Sequence, residues 1–220
     1  MQNLTAEQIS ALKSYQSAVL AANESFNLIG KHTAEDFWTT HIEDSLSVLN
    51  FVNFSQNATL LDVGSGAGFP AVPLKIARAD LQVATLDATL KRVDFVQSAC
   101  TNINIKINTI TARAEELGHN INFREKYDFV VARAVAELRP LAELCLPFVK
   151  TGGKFIALKG PGLDVELEFA AEIIEILGGK VKQIHRFSLA DGSARRILIV
   201  KKEKSAPATH PRRWSKIIRG

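Results

Sequence analysis

Apolar residues in the first fifty positions recur at helical spacing. From residue 58 onward they gather instead into short runs separated by helical stretches. Ile9, Leu12, Tyr15 and Val19 fall on one stripe, which predicts a helix over 5–29. A second helix is predicted from Thr33 to about Leu49. Thr33 and Asp36 resemble a capping box there, although Glu or Gln is the usual partner. Asn53, Ser55, Gln56 and Asn57 make a polar connection. Residues 1–57 thus read as a helical cap without strands.

The remainder alternates. Strands are expected at Thr59–Val63, Gln82–Leu86, Lys106–Ile110, Tyr127–Ala132, Lys154–Leu158, Val181–Leu189 and Arg195–Lys202. Helices are expected between them at Ala67–Arg78, Leu90–Ala99, Leu138–Lys150 and Asp164–Leu177. Such alternation implies an α/β fold with a mostly parallel seven-stranded sheet covered on both faces. Asp191-Gly192 is a strong turn signal, so the last two strands should form an antiparallel C-terminal hairpin. The expected division is a cap at 1–57, the sheet domain at 58–204 and a basic tail at 205–220. No internal repeat is visible.

Composition narrows the class. The chain has 220 residues, 46% hydrophobic and 23% charged, enough apolar material for one sizeable core. Cys100 and Cys145 form no CxxC pair, which excludes a disulfide framework and a four-cysteine zinc site; no metal site is expected. Two free cysteines in apolar surroundings suit a reducing cytoplasm. Residues 1–5 lack the basic and apolar regions of a secretory signal. The longest uncharged stretch, 45–61, holds eight polar residues in seventeen, too many to cross a bilayer. A cytoplasmic protein without membrane association is therefore expected, and no heptad suggests obligate assembly, so a monomer is too. The formal charge of +4 is unevenly placed. Residues 195–220 carry nine Lys and Arg against Glu203 alone, hence +8, leaving −4 for the rest. A polyanionic partner fits that asymmetry.

The most informative segment is Leu60-Leu61-Asp62-Val63-Gly64-Ser65-Gly66-Ala67-Gly68-Phe69-Pro70. A buried strand enters a glycine turn and then a helix, which lets a ligand approach the backbone closely. The glycines are spaced GxGxG, not the GxGxxG of dinucleotide sites, with Phe69 where the last glycine would stand. Asp62 at the strand end could take the amino group of an amino-acid-like ligand. Asp87 ends the second strand, nineteen residues after Gly68, where an acid grips a ribose diol. Asp62, Gly64, Gly66, Gly68 and Asp87 together resemble the first motifs of S-adenosylmethionine-dependent methyltransferases with the Rossmann-like class I fold. Ala114 and Glu115 follow the third strand, where that fold would contact adenine. Arg133 ends the fourth strand and Lys159 the fifth. His41 and Asp44 share a helix face.

The ordered motifs resemble one family closely. Asn27-Leu28-Ile29, His41-Ile42-Glu43-Asp44-Ser45-Leu46, Asp62 through Pro70, Leu86-Asp87 with Lys91-Arg92, Arg113-Ala114-Glu115-Glu116, Arg133-Ala134-Val135, Ala157-Leu158-Lys159-Gly160 and His210-Pro211-Arg212-Arg213 are similar to the bacterial RsmG (GidB) proteins. The resemblance spans about residues 20–215. It implies methylation of guanine N7 in the 530 loop of 16S ribosomal RNA, with S-adenosyl-L-methionine as cofactor. The RNA or the small ribosomal subunit would be the partner. It also implies that Gly64, Phe69, Ala114, Glu115 and Arg133 contact the cofactor. Ala71 and Ala88 depart from the family, which more often has glycine and serine there.

Guanine N7 carries an in-plane lone pair and loses no proton on methylation, so no catalytic base is expected, and positioning should dominate. His41, Lys159, Arg195 and Arg196 are candidates to position the substrate; Arg212, Arg213 and Lys216 are candidates to bind RNA. Two other readings stay open: a small-molecule methyltransferase, and a non-catalytic RNA-binding protein on the same fold.

Overall fold

Seven strands form one sheet in the order β3-β2-β1-β4-β5-β7-β6 in a computed structural model that describes residues 4–30 and 34–219. They are β1 (Thr59–Val63), β2 (Gln82–Asp87), β3 (Asn108–Thr111), β4 (Tyr127–Arg133), β5 (Val149–Lys159), β6 (Gly179–Ser188) and β7 (Ala194–Lys202). β1 pairs in parallel with both β2 and β4, so the strand order reverses at β1, the place where such sheets open a crevice. β7 runs antiparallel to β5 and β6. This is the sheet expected from the sequence, antiparallel C-terminal hairpin included.

Side chains alternate between two cores, as the period of a strand requires. Leu60, Phe129, Val131, Ile156, Ile197 and Ile199 face one layer; Leu61, Val130, Ala132, Phe155, Leu198 and Val200 face the other. The first layer is covered by α1 (Ala6–Ser25), α2 (Ala71–Ala77), α3 (Leu90–Asn102) and the helical run that follows α1. The second is covered by α5 (Leu138–Cys145) and α6 (Leu163–Ile176), while α4 (Ala114–Leu117) follows β3.

Several boundaries differ from expectation for local reasons. α1 stops at Ser25 because Asn23 Oδ1 accepts the backbone N–H of both Leu28 and Ile29, folding the chain over (2.8 and 2.9 Å). A capping box forms at Thr5 and Gln8; the one expected at Thr33 lies outside the described residues. The second helix is not regular: a π-helical stretch at Trp38–Glu43 passes into an α-turn at Asp44–Leu46 and a 3₁₀ turn at Ser47–Asn50. α2 begins at Ala71, four residues late, because Pro70 keeps Phe69 out of the helical region. α5 ends at Cys145, and Pro147 then sits in a 3₁₀ turn, Leu146–Phe148, that leads into β5.

The largest correction concerns the tail. The sequence places Arg212 and Arg213 in a basic tail at 205–220, outside the sheet domain. Instead the chain beyond β7 packs down and ends in a short helix, α7 (Trp214–Ile217), with Ile217 only 1% exposed in the second core. Arg124 donates to the carbonyls of Ala206, Pro207 and His210, and Glu125 accepts from Ser205 and Ala206.

Lys202 is wholly enclosed at the root of that tail. Its Nζ donates to Leu146 O at 2.7 Å and lies 3.3 Å from Glu125. Burial lowers its pKa from the ordinary 10.5 to about 8, against the opposing pull of Glu125. Between those values the unfolded chain binds more protons than the folded one, so Lys202 makes stability rise with pH across that window. The stability advantage of wild type over Lys202→Met should therefore grow by up to about 3 kcal/mol between pH 8 and 10.5 in urea unfolding. A constant difference would mean that the ammonium is solvated.

Candidate active site

The glycine turn is held by carboxylates from two neighbouring strands. Gly64 N and Ser65 N both donate to Leu86 O at the end of β2 (2.8 and 3.1 Å). Asp87 Oδ2 accepts from Gly66 N at 3.0 Å, and its Oδ1 accepts from Thr89 N at 2.8 Å. Asp62 Oδ2 accepts from Ala71 N at 3.1 Å, and so caps α2 from below. Gly64 has φ +70°, and a Cβ there would stand 2.6 Å from Val135 Cγ2, so the protein's own packing demands glycine. Gly66 has φ +54° but opens onto free space. Tyr15 Oη donates to Ala67 O at 2.8 Å and backs the turn from α1.

A cavity of about 290 Å³ opens above this turn, between the ends of β1, β2 and β3. Gly64, Asp87, Ala114 and Glu115 line it, joined by Val135 and Trp214. Asp87 is 7% exposed, and its two backbone bonds leave carboxylate lone pairs for hydroxyl donors. Glu115 Oε1 accepts from Arg113 Nε at 2.9 Å. A strand-end acid, a glycine-rich backbone turn and a cavity of nucleoside size fit an adenosyl cofactor.

A second cavity, about 330 Å³, adjoins the first at Ala134, which lines both and holds φ +54°. The ends of β4, β5 and β7 supply Arg133, Lys159 and Arg195; the π-helical run supplies Thr40 and His41, and the α-turn after it Asp44. Arg133 donates through Nη1 to Thr40 O and Asp44 Oδ2, each at 2.9 Å, and through Nη2 to His41 Nδ1 at 2.9 Å. Arg195 Nε lies 3.3 Å from Asp44 Oδ1. Lys159 Nζ donates to Ala136 O and meets Glu166 at 2.5 Å.

These contacts set the state of His41. Arginine has no acceptor, so His41 Nδ1 must accept, which leaves the ring proton on Nε2. Burial, reinforced by the Arg133 charge, pushes the pKa of His41 down to about 3. The ring stacks on Phe69, centroids 5.0 Å apart, and the Arg133 guanidinium lies over the Phe69 ring, 5.2 Å from its centroid. His41 is thus neutral and too weak a base to take a proton at neutral pH.

The structure sorts the sequence-predicted residues into groups. Gly64, Asp87, Ala114 and Glu115 face the first cavity, with Gly66 bonded to Asp87. Asp62 is 0% exposed beneath the turn, where burial raises its pKa to about 7. Gly68 and Phe69 pack behind the turn, against Tyr15 and His41. Arg133, His41, Lys159 and Arg195 meet at the second cavity. Arg196 lies beside it on β7, paired with Lys159 across the ladder. Arg212 is committed to Glu143, whereas Arg213 and Lys216 are exposed on the tail. Sequence reasoning did not assign Glu143, Glu166 or Trp214. Glu143 had a signal, as a charge inside the apolar stretch from Leu141 to Leu146.

A family model for "rRNA small subunit methyltransferase G" (GidB) matches residues 8–197. Among curated proteins, the ribosomal RNA small subunit methyltransferase G of Moorella thermoacetica is 40% identical over 212 residues, covering 96% of this chain and 88% of its own. That of Acetivibrio thermocellus is 41% identical over 216 residues, covering 97% and 88%. Among solved structures, MtNAS in complex with S-adenosylmethionine aligns with a TM-score of 0.59 at 13% identity, covering 88% of this chain and 72% of that one. That likeness concerns the fold. The sequence matches run through both cavities, and by them the chain belongs to the rRNA small subunit methyltransferase G family.

Proposed function

We propose that this protein transfers a methyl group from S-adenosylmethionine to N7 of a guanine in 16S ribosomal RNA, within the 530 loop. The observation that carries the reading is the adjacency of the two cavities at Ala134. One has a glycine turn and a strand-end acid; the other is walled by three cationic side chains.

Bound S-adenosylmethionine would supply an electrophilic methyl group on a sulfonium. Asp87 accepts the ribose hydroxyls. Ala114 and Glu115 border the base. The bare backbone at Gly64 lets the ligand lie against the turn. In the second cavity, Lys159 and Arg195 hold phosphate oxygens or guanine O6 and leave N7 open. Arg133 fixes the His41–Asp44 face on which the acceptor rests. The product base gains positive charge, and Asp44 and Glu166, both lining this cavity, offset it. No side chain needs to take a proton, in keeping with the depressed pKa of His41. Among the described residues no helix is long and apolar enough to cross a membrane; we place the protein in the cytoplasm, acting as a monomer on the RNA or the small subunit.

The direct test is incubation with labelled S-adenosylmethionine and small-subunit ribosomal RNA, followed by mapping of the modified base. Label on a small metabolite alone, or none, would reject the reading. Three variants test the assignments. Asp87→Ala should weaken cofactor binding in calorimetry by ten- to a hundredfold or more, since hydrogen bonds to a charged acceptor contribute about 1.5–3 kcal/mol each. A loss below threefold would place the ribose elsewhere. Arg195→Ala, in which Asp44 keeps Arg133, should lower kcat/KM for RNA by about tenfold, a 1.4 kcal/mol effect. Its cofactor affinity should stay within twofold, and equal losses in both would argue against a substrate role. Replacing exposed Arg213 and Lys216 by Ala should flatten the slope of log K for RNA against log salt by about 1.5. An unchanged slope would remove both from the RNA interface.

A further inference from the structure

The first cavity has one wall from far along the chain. Trp214 lines it, whereas its other lining residues all lie between Val63 and Leu144. We propose that Trp214 is a cofactor-binding residue that packs on the adenine, and that Glu143 and Arg212 are positioning residues that hold it there. This rests on the reading of that cavity as the S-adenosylmethionine site.

The indole is half-buried and lines the cavity together with Ala112, Arg113, Ala114 and Glu115. Arg113 lies over its ring at 5.6 Å. Trp214 also lines a cleft shared with Arg113 and Arg213 and a groove shared with Ile217, so the ring is a partition between the cavity and the outer surface. An aromatic plane in that place offers adenine a stacking surface at small entropic cost, because the side chain has only two rotatable bonds.

The tail is fastened where this role requires it. Arg212 donates to the Glu143 carboxylate from its backbone N at 2.7 Å, from Nε at 3.0 and 3.2 Å and from Nη2 at 2.8 Å. Glu143 is 1% exposed and precedes Leu144, itself a wall of the cavity. A buried carboxylate that lost this partner would be left uncompensated, so the pair holds the tail firmly in place. One residue before Arg212, Pro211 O accepts from His119 Nε2 at 2.7 Å. Pro211 also packs so closely on Gly118 that a Cβ there would stand 2.8 Å from it. Behind the indole, Ile217 is anchored in the core. Trp214 is thus held from both sides, over the end of β3.

The chain has two tryptophans, and Trp38 lies in a different cleft, with Leu46 and Phe187. In full-length protein carrying Trp38→Phe, S-adenosylmethionine should therefore quench the remaining indole fluorescence, saturating at the Kd found by calorimetry. Trp214→Ala should weaken S-adenosylmethionine binding by tenfold or more, and Trp214→Phe by less than threefold. Arg212→Ala should weaken binding as well and reduce the quench, because the indole is freed rather than removed. Affinity within twofold of wild type in Trp214→Ala, with no quench in the parent, would overturn the proposal. If Asp87→Ala still weakened binding tenfold or more, the cofactor site itself would stand. A wild-type protein that binds no S-adenosylmethionine would overturn both.

Discussion

Asp62 and Asp87, at the ends of adjacent parallel strands, hold the backbone between them, and the geometry of both cavities follows. Asp87 takes the N–H of Gly66 and of Thr89; Asp62 takes that of Ala71. Each of these donors would otherwise be a poorly satisfied polar group near the sheet edge, at about 1–3 kcal/mol. With them in place, the glycine turn is rigid before any ligand arrives, which is the condition for a bare backbone to serve as a binding surface. The arrangement has a cost. Asp62 Oδ1 is buried with no hydrogen-bond partner among the described residues, and burial raises the pKa of this carboxyl. The nearby Arg133 charge acts in the opposite direction, so the guanidinium that shapes the second cavity also eases the charge on the acid beneath the first.

The N-terminal helices extend this constraint. Tyr15 is 0% exposed, and its hydroxyl supports the turn at Ala67. Phe69 packs against Tyr15, Phe37 and His41 at centroid distances of 5.9, 5.7 and 5.0 Å, so a residue of the glycine turn is a wedge in the cap. The π-helical stretch and the α-turn after it then bring Thr40, His41 and Asp44 to a single arginine. Wide turns of this kind are frequent at functional sites. The cap therefore builds the floor of the second cavity, and its removal would unmake the cavity as well as expose the sheet.

Much of this was legible in the sequence because it is periodic or local. The seven strands, their alternation with helices and the glycine turn follow from apolar runs and turn residues, and Asp87 from its position at a strand end. What escaped depends on side chains that meet across the chain. Asn23 ends α1 through its amide oxygen, Asp62 and Pro70 delay α2, and Pro147 ends α5; none of these alters hydrophobic periodicity. The irregular winding of 38–50 has the same apolar stripe as an ordinary helix. The ordered tail is the clearest case. Its anchor joins Arg212 to a glutamate 69 residues away, and α7 is four residues long, too short for a period to be read. The linear sequence shows nine basic residues between 195 and 220; the fold supplies buried acids that the sequence does not pair with them.

The same pairing changes what the basic C-terminus can do. Of the charge between 195 and 220, Arg195 is bound to Asp44, Lys202 to Glu125 and Arg212 to Glu143. Those three cations contribute to the fold and to the shape of the cavities, and their fields are largely cancelled at short range. Arg213, Lys216 and Arg219 stay exposed on and beside α7, the helix that begins at Trp214. Lys159 and Arg195 stand at the second cavity. The +8 of the C-terminal segment therefore becomes a basic rim near the first cavity, while at the second cavity Arg195 is paired with Asp44 and Lys159 with Glu166. Fields from such groups add most strongly where low-dielectric walls confine them. In the proposed function, the exposed cations of the tail would act on a phosphate backbone by placement more than by number.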